Sequence, residues 1–165
     1  MNINVSKNQK NLEQIHQWFL RSGQTLGFAE SCTGGLLSAL LTAQPGVSSY
    51  YRGTIVSYSS EAKVNLLGVP RSLLQVMGEV SLPVAKYMAR GAKKALQCHW
   101  AVGITGIAGP SGGTPDKPVG TVCFAVCGPG FERVELQRIE GAKRSEIQLR
   151  SAEYALKLLQ LGIQS

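Results

Sequence analysis

The chain has little histidine and little acidic charge, and the first of these shortages limits its chemistry. Its 165 residues include two His and only ten Asp and Glu, against seventeen Lys and Arg, which gives a formal net charge of +7. A Ser-His-Asp triad needs a histidine base. His16 lies beside the apolar stripe of a predicted first helix, and His99 stands at the start of a predicted strand. Neither histidine is therefore favoured as a catalytic base.

Long apolar segments and paired cysteine motifs are also missing. Residues 1–10 contain no apolar core of a signal peptide, and no run approaches the length of a membrane-spanning helix. The four cysteines have neither the spacing of a disulfide framework nor a Cys-x-x-Cys motif: Cys32, Cys98, Cys123 and Cys127. We predict reduced thiols, no metal site, no membrane partner and a cytoplasmic location.

The positive charge is dispersed along the chain. Basic residues occur singly or in pairs in two predicted helical regions, near residues 71–94 and 143–157, and no basic run includes aromatic side chains. Dispersed charge is typical of solvated helix faces, so we predict no nucleic-acid partner. An acidic small molecule, such as a phosphate ester, would need only one or two of these side chains.

Strands alternate with helices along the first two thirds of the chain. The predicted helices cover residues 8–22, 35–42, 60–67, 81–95 and 143–161, and the predicted strands cover 24–29, 50–58, 100–105, 119–127 and 133–139. This order predicts a three-layer α/β/α sandwich with a mixed, mostly parallel sheet that ends in an antiparallel hairpin. The length, with no linker, repeat or low-complexity segment, predicts a single domain over residues 1–165.

The most informative segment is Phe28–Gly35, where a predicted strand meets an apolar helix through small polar residues. A hydroxyl there lies beside unpaired backbone N–H groups and the positive end of the helix dipole. Such a place suits an anion or the oxyanion of an acyl-transfer reaction. Ser31 or Thr33 could equally serve only as a helix cap. Gly34 and Gly35 favour a functional site, because a cap does not need them.

A lysine is the best candidate for the missing base. The carboxyl ends of strands in an open α/β sheet gather at one rim, which predicts that Ser31, Tyr58 and Thr105 lie together. Lys63 falls in the helix that follows Tyr58, and a Ser–Lys pair is a known catalytic arrangement. Tyr58 could relay the proton or hold the ammonium in place. The competing interpretation is a surface lysine beside a half-buried strand tyrosine.

The two sequence neighbours of Ser31, Glu30 and Cys32, have different predicted roles. Glu30 points away from Ser31 if the strand continues, so we expect it to orient turn amides or a substrate hydroxyl. Cys32 is a rival nucleophile, because a thiolate is favoured at a helix N-terminus. It has no histidine partner in this sequence, and it ranks below Ser31.

The segment 105–118 is rich in glycine and proline and is too long for a simple hairpin turn. Its length predicts a loop that lines a ligand. The pattern fits neither a Walker motif nor a dinucleotide-binding motif. Ser111 has glycine neighbours that would leave it mobile, so we do not assign it as a nucleophile.

Four motifs together resemble the CinA C-terminal-domain family, which includes bacterial nicotinamide-nucleotide amidases. They are Ala29–Gly35, the Tyr58/Lys63 pair, Thr105–Pro110 and Pro118–Val122, which follow one another in the family's order and cover nearly the whole chain. The resemblance implies a stand-alone amidase domain that converts nicotinamide mononucleotide to nicotinate mononucleotide and ammonia. It also implies that no metal or organic cofactor is needed and that the protein forms a homo-oligomer.

The resemblance further implies a role for each residue of the site. Ser31 would attack the carboxamide carbon, with Lys63 and Tyr58 handling its proton. The backbone amides of residues 31–34 would hold the oxyanion. The remaining positions would bind the pyridine nucleotide substrate: Glu30, Cys32, Thr33, Gly34, Gly35, Thr105, Gly106, Gly109 and Arg144.

The start of the last helix departs from the family pattern. Family members usually have Gly-Asp-Arg there, whereas this chain has Gly141-Ala142-Lys143-Arg144, without the acid and with one extra residue. Arg144 is the best match for the contact to the 5′-phosphate, and Arg150 is the alternative. Because some family members are known only through competence or DNA damage, the alternative function is a non-catalytic nucleotide-binding or competence- or damage-associated module.

Overall fold

The computed structural model describes the backbone of residues 5–165 and the side chains of residues 10–165. In this range the helices are α1 (Val5–Ser22), α2 (Leu36–Thr42), α3 (Ser60–Leu67), α4 (Arg71–Met77), α5 (Leu82–Ala95) and α6 (Arg144–Ile163). The strands are β1 (Leu26–Glu30), β2 (Tyr51–Val56), β3 (Trp100–Gly106), β4 (Thr121–Gly128) and β5 (Phe131–Arg138). A short 3₁₀ turn at Val47–Ser49 precedes β2.

The five strands form one mixed sheet in the order β2-β1-β3-β4-β5. β1 pairs in parallel with β2 and β3, while β4 pairs antiparallel with β3 and β5. The predicted hairpin is therefore β4 and β5, which a two-residue turn at positions 129–130 connects. The mixed α/β sheet predicted from the sequence is confirmed, with its pairings divided equally between parallel and antiparallel.

Helices cover both faces of the sheet, as the three-layer prediction requires. α1, α2 and α6 pack on one face around large sheet side chains such as Phe28, Val102 and Phe124. α5, with α3 and α4 beside it, covers the other face, where the sheet presents small side chains such as Ala101 and Ala125. Alternate residues of each strand face opposite layers, so buried strands are apolar on both sides.

Two glycines set the positions of α3 and α5. A Cβ at Gly103 would lie 2.5 Å from the carbonyl oxygen of Ala85, so α5 packs directly on β3. A Cβ at Gly91 would lie 2.0 Å from the carbonyl oxygen of Leu67, so the end of α3 packs directly on α5. The absent side chains thus permit the close backbone approaches of α5 to β3 and of the end of α3 to α5.

Helix α4 has no counterpart among the predicted elements. None of its seven residues is buried. Only Leu73 and Leu74 of this helix pack against the core, and both are partly buried. Two adjacent leucines give no helical periodicity of apolar residues, which is the signal by which a helix is predicted. Helix α4 is therefore missing from the prediction because it is short and mostly exposed.

Candidate active site

A cleft of about 230 Å³ opens where the carboxyl ends of β1 and β3 meet the segment after β2. Ser31, Tyr58 and Thr105 all line it, as the sheet topology predicts. The other residues around it are Cys32, Glu79, Val80, Gly106, Ile107, Ala108, Gly109, Ser111, Gly112 and Arg144. The glycine-rich loop after β3 supplies the largest share of these, which is the lining role predicted for it.

The hydroxyl of Ser31 and the amine of Lys63 meet below this cleft. Lys63 Nζ lies 3.2 Å from Ser31 Oγ. Lys63 is fully buried and Ser31 is 7 % exposed. Ser59 positions the lysine by capping α3, where its side chain accepts the backbone N–H of Ala62 at 3.1 Å. The competing interpretation of a surface lysine is wrong.

Lys63 has three hydrogen-bond acceptors. Besides Ser31 Oγ, they are the carbonyl oxygen of Ser57 at 3.2 Å and Glu79 Oε2 at 2.9 Å. An ammonium group has three N–H donors, so these acceptors satisfy it completely. A fully buried ammonium needs such partners, because an unpaired buried charge is very costly.

Glu79 is a site residue that the sequence did not reveal. It lies between α4 and α5, lines the cleft, and its side chain is 43 % exposed. Partial burial acts to raise the pKa of Glu79, but hydrogen bonds from Ser60 and Lys63 and the lysine charge outweigh it and lower that pKa. The carboxylate is therefore ionised at neutral pH. A single acid between two helices carries no local motif that could have indicated this.

Tyr58 has a different partner from the one predicted. Its hydroxyl accepts a hydrogen bond from Arg144 at 2.5 Å, and 59 % of the residue is exposed. The N–H donors of Lys63 are taken by Ser31, Ser57 and Glu79. In this structure Glu79, and not Tyr58, holds the ammonium in place.

Arg144 joins the glycine-rich loop to the segment after β2. One of its terminal nitrogens donates to the carbonyl oxygen of Gly109 at 2.6 Å, and the other donates to Tyr58. The guanidinium lines the cleft as a positive charge with further N–H donors available. The first residue of α6 is thereby placed where it can meet an anionic group.

Glu30 is not placed to bind a substrate. It is fully buried, and its carboxylate accepts the backbone N–H groups of Gly35, Leu37 and Ser38 at 3.0, 3.1 and 3.0 Å. The hydroxyl of Thr33 donates to the same carboxylate at 2.8 Å. The Glu30 carboxylate thus binds the N-terminus of α2, where the sequence predicts a site for an anion. It orients backbone amides there, as predicted.

Thr33, Gly34 and Gly35 belong to this turn and are not among the residues that line the cleft. Gly34 and Gly35 have φ of +61° and +99°, a region that favours glycine. The Gly34 N–H donates to the Ser31 carbonyl oxygen at 3.0 Å, so it is committed to the turn. The two glycines serve the backbone conformation of this turn, and they do not reach the cleft where their contact with substrate is predicted.

Cys32 lines the cleft as a neutral thiol. Burial raises its pKa to about 12, and the opposing influences of its backbone N–H, Arg144 and Lys63 are smaller. A thiol with this pKa is almost wholly protonated at neutral pH, so the expected advantage of the helix N-terminus is lost. Gln148 donates to the Cys32 carbonyl oxygen at 2.8 Å and so ties the turn after Ser31 to α6.

Neither histidine approaches the cleft. His99 Nδ1 accepts the backbone N–H of Thr25 at 3.1 Å, at the amino ends of β1 and β3 and thus at the opposite edge of the sheet. His16 lies on the buried face of α1, and its Nδ1 hydrogen bonds with the Tyr50 hydroxyl at 3.0 Å. Both have structural roles.

The described residues offer neither a metal cluster nor a membrane span. Over that part of the chain, no three His, Cys, Asp or Glu side chains converge as ligands of a metal ion. No described helix is both long enough and apolar enough to cross a bilayer.

Comparison with known proteins identifies the family of the chain. The sequence pattern of the CinA C-terminal domain matches residues 8–162. The chain belongs to the CinA C-terminal domain family. It is 51 % identical over 141 residues to a CinA-like protein of Mycobacterium tuberculosis, and 43 % identical over 149 residues to one of Fervidobacterium nodosum. These alignments cover 85 % and 90 % of this chain but only 33 % and 36 % of the relatives, so the chain spans about a third of their length.

Solved structures of CinA proteins share the whole fold. The competence/damage inducible protein CihA of Agrobacterium tumefaciens is 34 % identical, with a TM-score of 0.93 and complete coverage of both chains. A competence-damaged protein (CinA) superfamily protein of Escherichia coli is 30 % identical, with a TM-score of 0.89 and coverage of 98 % of this chain and 94 % of the other. The α/β architecture described above is that of the family.

In this CinA domain an arginine at the start of α6 lines the cleft, at the point where the sequence departs from the expected Gly-Asp-Arg. α6 begins at Arg144, after Lys143 in an extended conformation. Arg150 lies one to two turns further on and donates to the carbonyl oxygen of Glu140 at 2.5 Å. Of the two arginines, only Arg144 lines the cleft.

Proposed function

We propose that this CinA domain hydrolyses the carboxamide of nicotinamide mononucleotide to nicotinate mononucleotide and ammonia. The observation that carries the proposal is the buried contact of 3.2 Å between Ser31 Oγ and Lys63 Nζ at the end of a cleft. A serine hydroxyl becomes a nucleophile when an adjacent base takes its proton, and the two atoms are within reach of that transfer.

The reaction runs in two stages. In its neutral form Lys63 takes the proton of the Ser31 hydroxyl as the oxygen attacks the carboxamide carbon. The lysine then gives this proton to the leaving nitrogen, which departs as ammonia and leaves an ester on Ser31. Lys63 next takes a proton from the water that attacks the ester, and it returns this proton to Ser31 Oγ as the C–O bond breaks and nicotinate mononucleotide leaves.

The oxyanion formed at each stage needs hydrogen-bond donors. Gly34 and Gly35 are excluded because their N–H groups bind Ser31 and Glu30. The backbone amides of Cys32 and Thr33, in the turn that follows the nucleophile, are the donors that we assign. Glu30 and Gln148 fix this turn from two sides and so keep the amides oriented.

The remote end of the substrate is assigned to Arg144. A guanidinium binds phosphate by charge-assisted and often bidentate hydrogen bonds. Because Arg144 also holds Gly109 and Tyr58, binding of phosphate there would order the loop over the substrate. We assign Thr105, Gly106 and Gly109, which line the cleft, to the part of the substrate between its phosphate and its amide.

The experiment is an ammonia-release assay on the purified chain with a panel of pyridine amides. We expect one ammonia and one nicotinate mononucleotide per nicotinamide mononucleotide consumed, with little turnover of free nicotinamide. No ammonia from any member of the panel would contradict the proposal.

The relatives called competence- or damage-inducible motivate a second candidate, a nucleotide-binding module without catalysis. The Lys63 ammonium, with all three N–H donors engaged, favours it, since a protonated lysine is not a base. Tight binding of pyridine nucleotides without ammonia release would decide for this candidate.

A further inference from the structure

With its present hydrogen bonds, Lys63 donates protons and is not in a state to accept one. Three N–H groups meet three acceptors, and the shortest of these contacts is the ion pair of 2.9 Å with Glu79. An ammonium has no lone pair with which to accept the Ser31 proton. Catalysis by Lys63 therefore needs an event that weakens its pairing with Glu79 and lets one proton leave.

Glu79 is placed to contact a molecule that binds in the cleft. One carboxylate oxygen accepts Lys63, the other accepts the Ser60 hydroxyl, and the side chain remains 43 % exposed in the wall of the cleft. Among the residues that line the cleft, Glu79 is the single acid. A cation bound beside Ser31 would meet this carboxylate and would also meet the ammonium behind it.

We propose that Glu79 selects amides carried on a cationic ring, because the charge of the ring competes with the Lys63 ammonium for this carboxylate. The inference rests on the proposed function, since the pyridinium ring of nicotinamide mononucleotide carries a positive charge next to the carboxamide. When the ring binds, it becomes the partner of Glu79 and repels the ammonium. Lys63 releases one proton to water, and the amine that remains accepts the Ser31 proton.

Other charged and titratable groups near Lys63 do not replace Glu79 in this role. Cys32 is a neutral thiol, because burial raises its pKa to about 12. Glu30 is fully buried and already accepts five donors of the turn, of α2 and of Thr54. Arg144 is held by Gly109 and Tyr58 on the wall formed by the glycine-rich loop. Glu79 is thus the exchangeable partner of the lysine.

The test uses the Ser31→Ala protein, in which a bound amide is not consumed. The ligands are nicotinamide mononucleotide and its 1,4-dihydropyridine form, which has the same phosphate but a neutral ring. Calorimetry in buffers of different ionisation enthalpy measures the dissociation constant and the number of protons released. We expect the cationic ligand to bind about tenfold more tightly and to release about one proton at pH 7.5, and the neutral ligand to release none.

Substitutions assign the effect to the carboxylate. Glu79→Gln in the same background should reduce the ratio of the two affinities to one or below, while Glu79→Asp should retain most of it. Glu132→Gln is the matched control, because it removes an ion-paired carboxylate on β5 that does not line the cleft. Thermal unfolding of each variant shows whether the fold is kept.

The outcomes separate this inference from the proposed function. Equal affinities and equal proton release for the two ligands, together with ammonia release by the unmodified chain, would overturn the role of Glu79 and leave the amidase intact. An unchanged affinity ratio in Glu79→Gln would also overturn it. If the unmodified chain releases no ammonia from nicotinamide mononucleotide, the proposed function fails, whatever the affinity ratio.

Discussion

Lys63 and Ser31 are 32 positions apart in the chain, and their side-chain nitrogen and oxygen meet at 3.2 Å. Ser31 follows β1, and Lys63 comes from the helix after the neighbouring parallel strand β2. The parallel pairing of these strands, and the packing of α3 on α5, bring the two side chains together. The contact is therefore a product of the sheet topology.

Replacement of Lys63 by Met tests the base. Met has a similar length but no proton acceptor of comparable strength, so we expect kcat to fall by on the order of a thousandfold or more. Stability should change little, because the buried ammonium is itself costly and the Glu79 carboxylate left behind remains partly exposed. Steady-state ammonia release and thermal unfolding measure the two effects.

Lys94→Met is the matched control for that variant. Lys94 lies exposed in the last turn of α5, so its replacement should change neither quantity. Near-normal kcat in Lys63→Met would contradict the assignment of Lys63.

Cys32 gives a prediction on pH. With its pKa raised to about 12, the thiolate fraction at pH 8 is on the order of one part in ten thousand. Alkylation of native Cys32 by iodoacetamide should therefore be negligible at pH 8 and should rise tenfold with each pH unit as long as the fold persists. Mass spectrometry after timed exposure checks this, and Cys32→Ala should keep most of the activity. Rapid modification at pH 7 with loss of activity would restore Cys32 as a rival nucleophile.

Comparison of Arg144→Ala with Arg150→Ala identifies the phosphate contact. Arg144 lines the cleft, so its loss should raise KM for nicotinamide mononucleotide about tenfold or more. For nicotinamide riboside, which lacks the phosphate, the same change should have a much smaller effect. Arg150→Ala should leave both KM values unchanged. A larger rise in KM for Arg150→Ala than for Arg144→Ala would reverse the assignment.

Glu30→Gln tests the structural role of the buried carboxylate. An amide would direct N–H donors at the N–H groups of Gly35, Leu37 or Ser38, which then lose an acceptor. We expect the free energy of unfolding to fall by about 2–4 kcal/mol. Denaturant unfolding measures it against Glu61→Gln, an exposed carboxylate on α3 whose ion pair with Arg71 contributes little. Equal stability of the two variants would contradict the role given to Glu30.

The order of strands and helices predicts the fold and makes Lys63 a candidate base for Ser31, whereas the choice of this pair over a surface lysine comes from the family resemblance. The position of residues at the carboxyl ends of parallel strands follows from that order alone. Alternation along β1 likewise predicts that Glu30 and Ser31 face different ways. The family resemblance adds the chemistry to these positions.

The rest of the site depends on side-chain choices that a sequence does not show. The donors after Ser31 look the same in a sequence whether a substrate or a side chain accepts them, so the sequence does not show that Glu30 accepts the Thr33 hydroxyl and the Gly35 N–H. Glu79 follows α4, a short helix with no fully buried residue, and no sequence motif marks it. The hydrogen-bond partner of Tyr58 is Arg144, which is 86 positions away, so no local sequence pattern links the two residues.

Ammonia release by Ser31→Ala tests the central claim most directly, with Ser38→Ala as a control on the neighbouring helix α2. Ser38 accepts the Tyr51 hydroxyl at 2.8 Å and does not line the cleft. We predict that Ser31→Ala is folded, binds nicotinamide mononucleotide, and releases ammonia at least about a thousandfold more slowly than the unmodified chain, while Ser38→Ala remains close to normal. Ammonia release by Ser31→Ala at the rate of the unmodified chain would contradict the account.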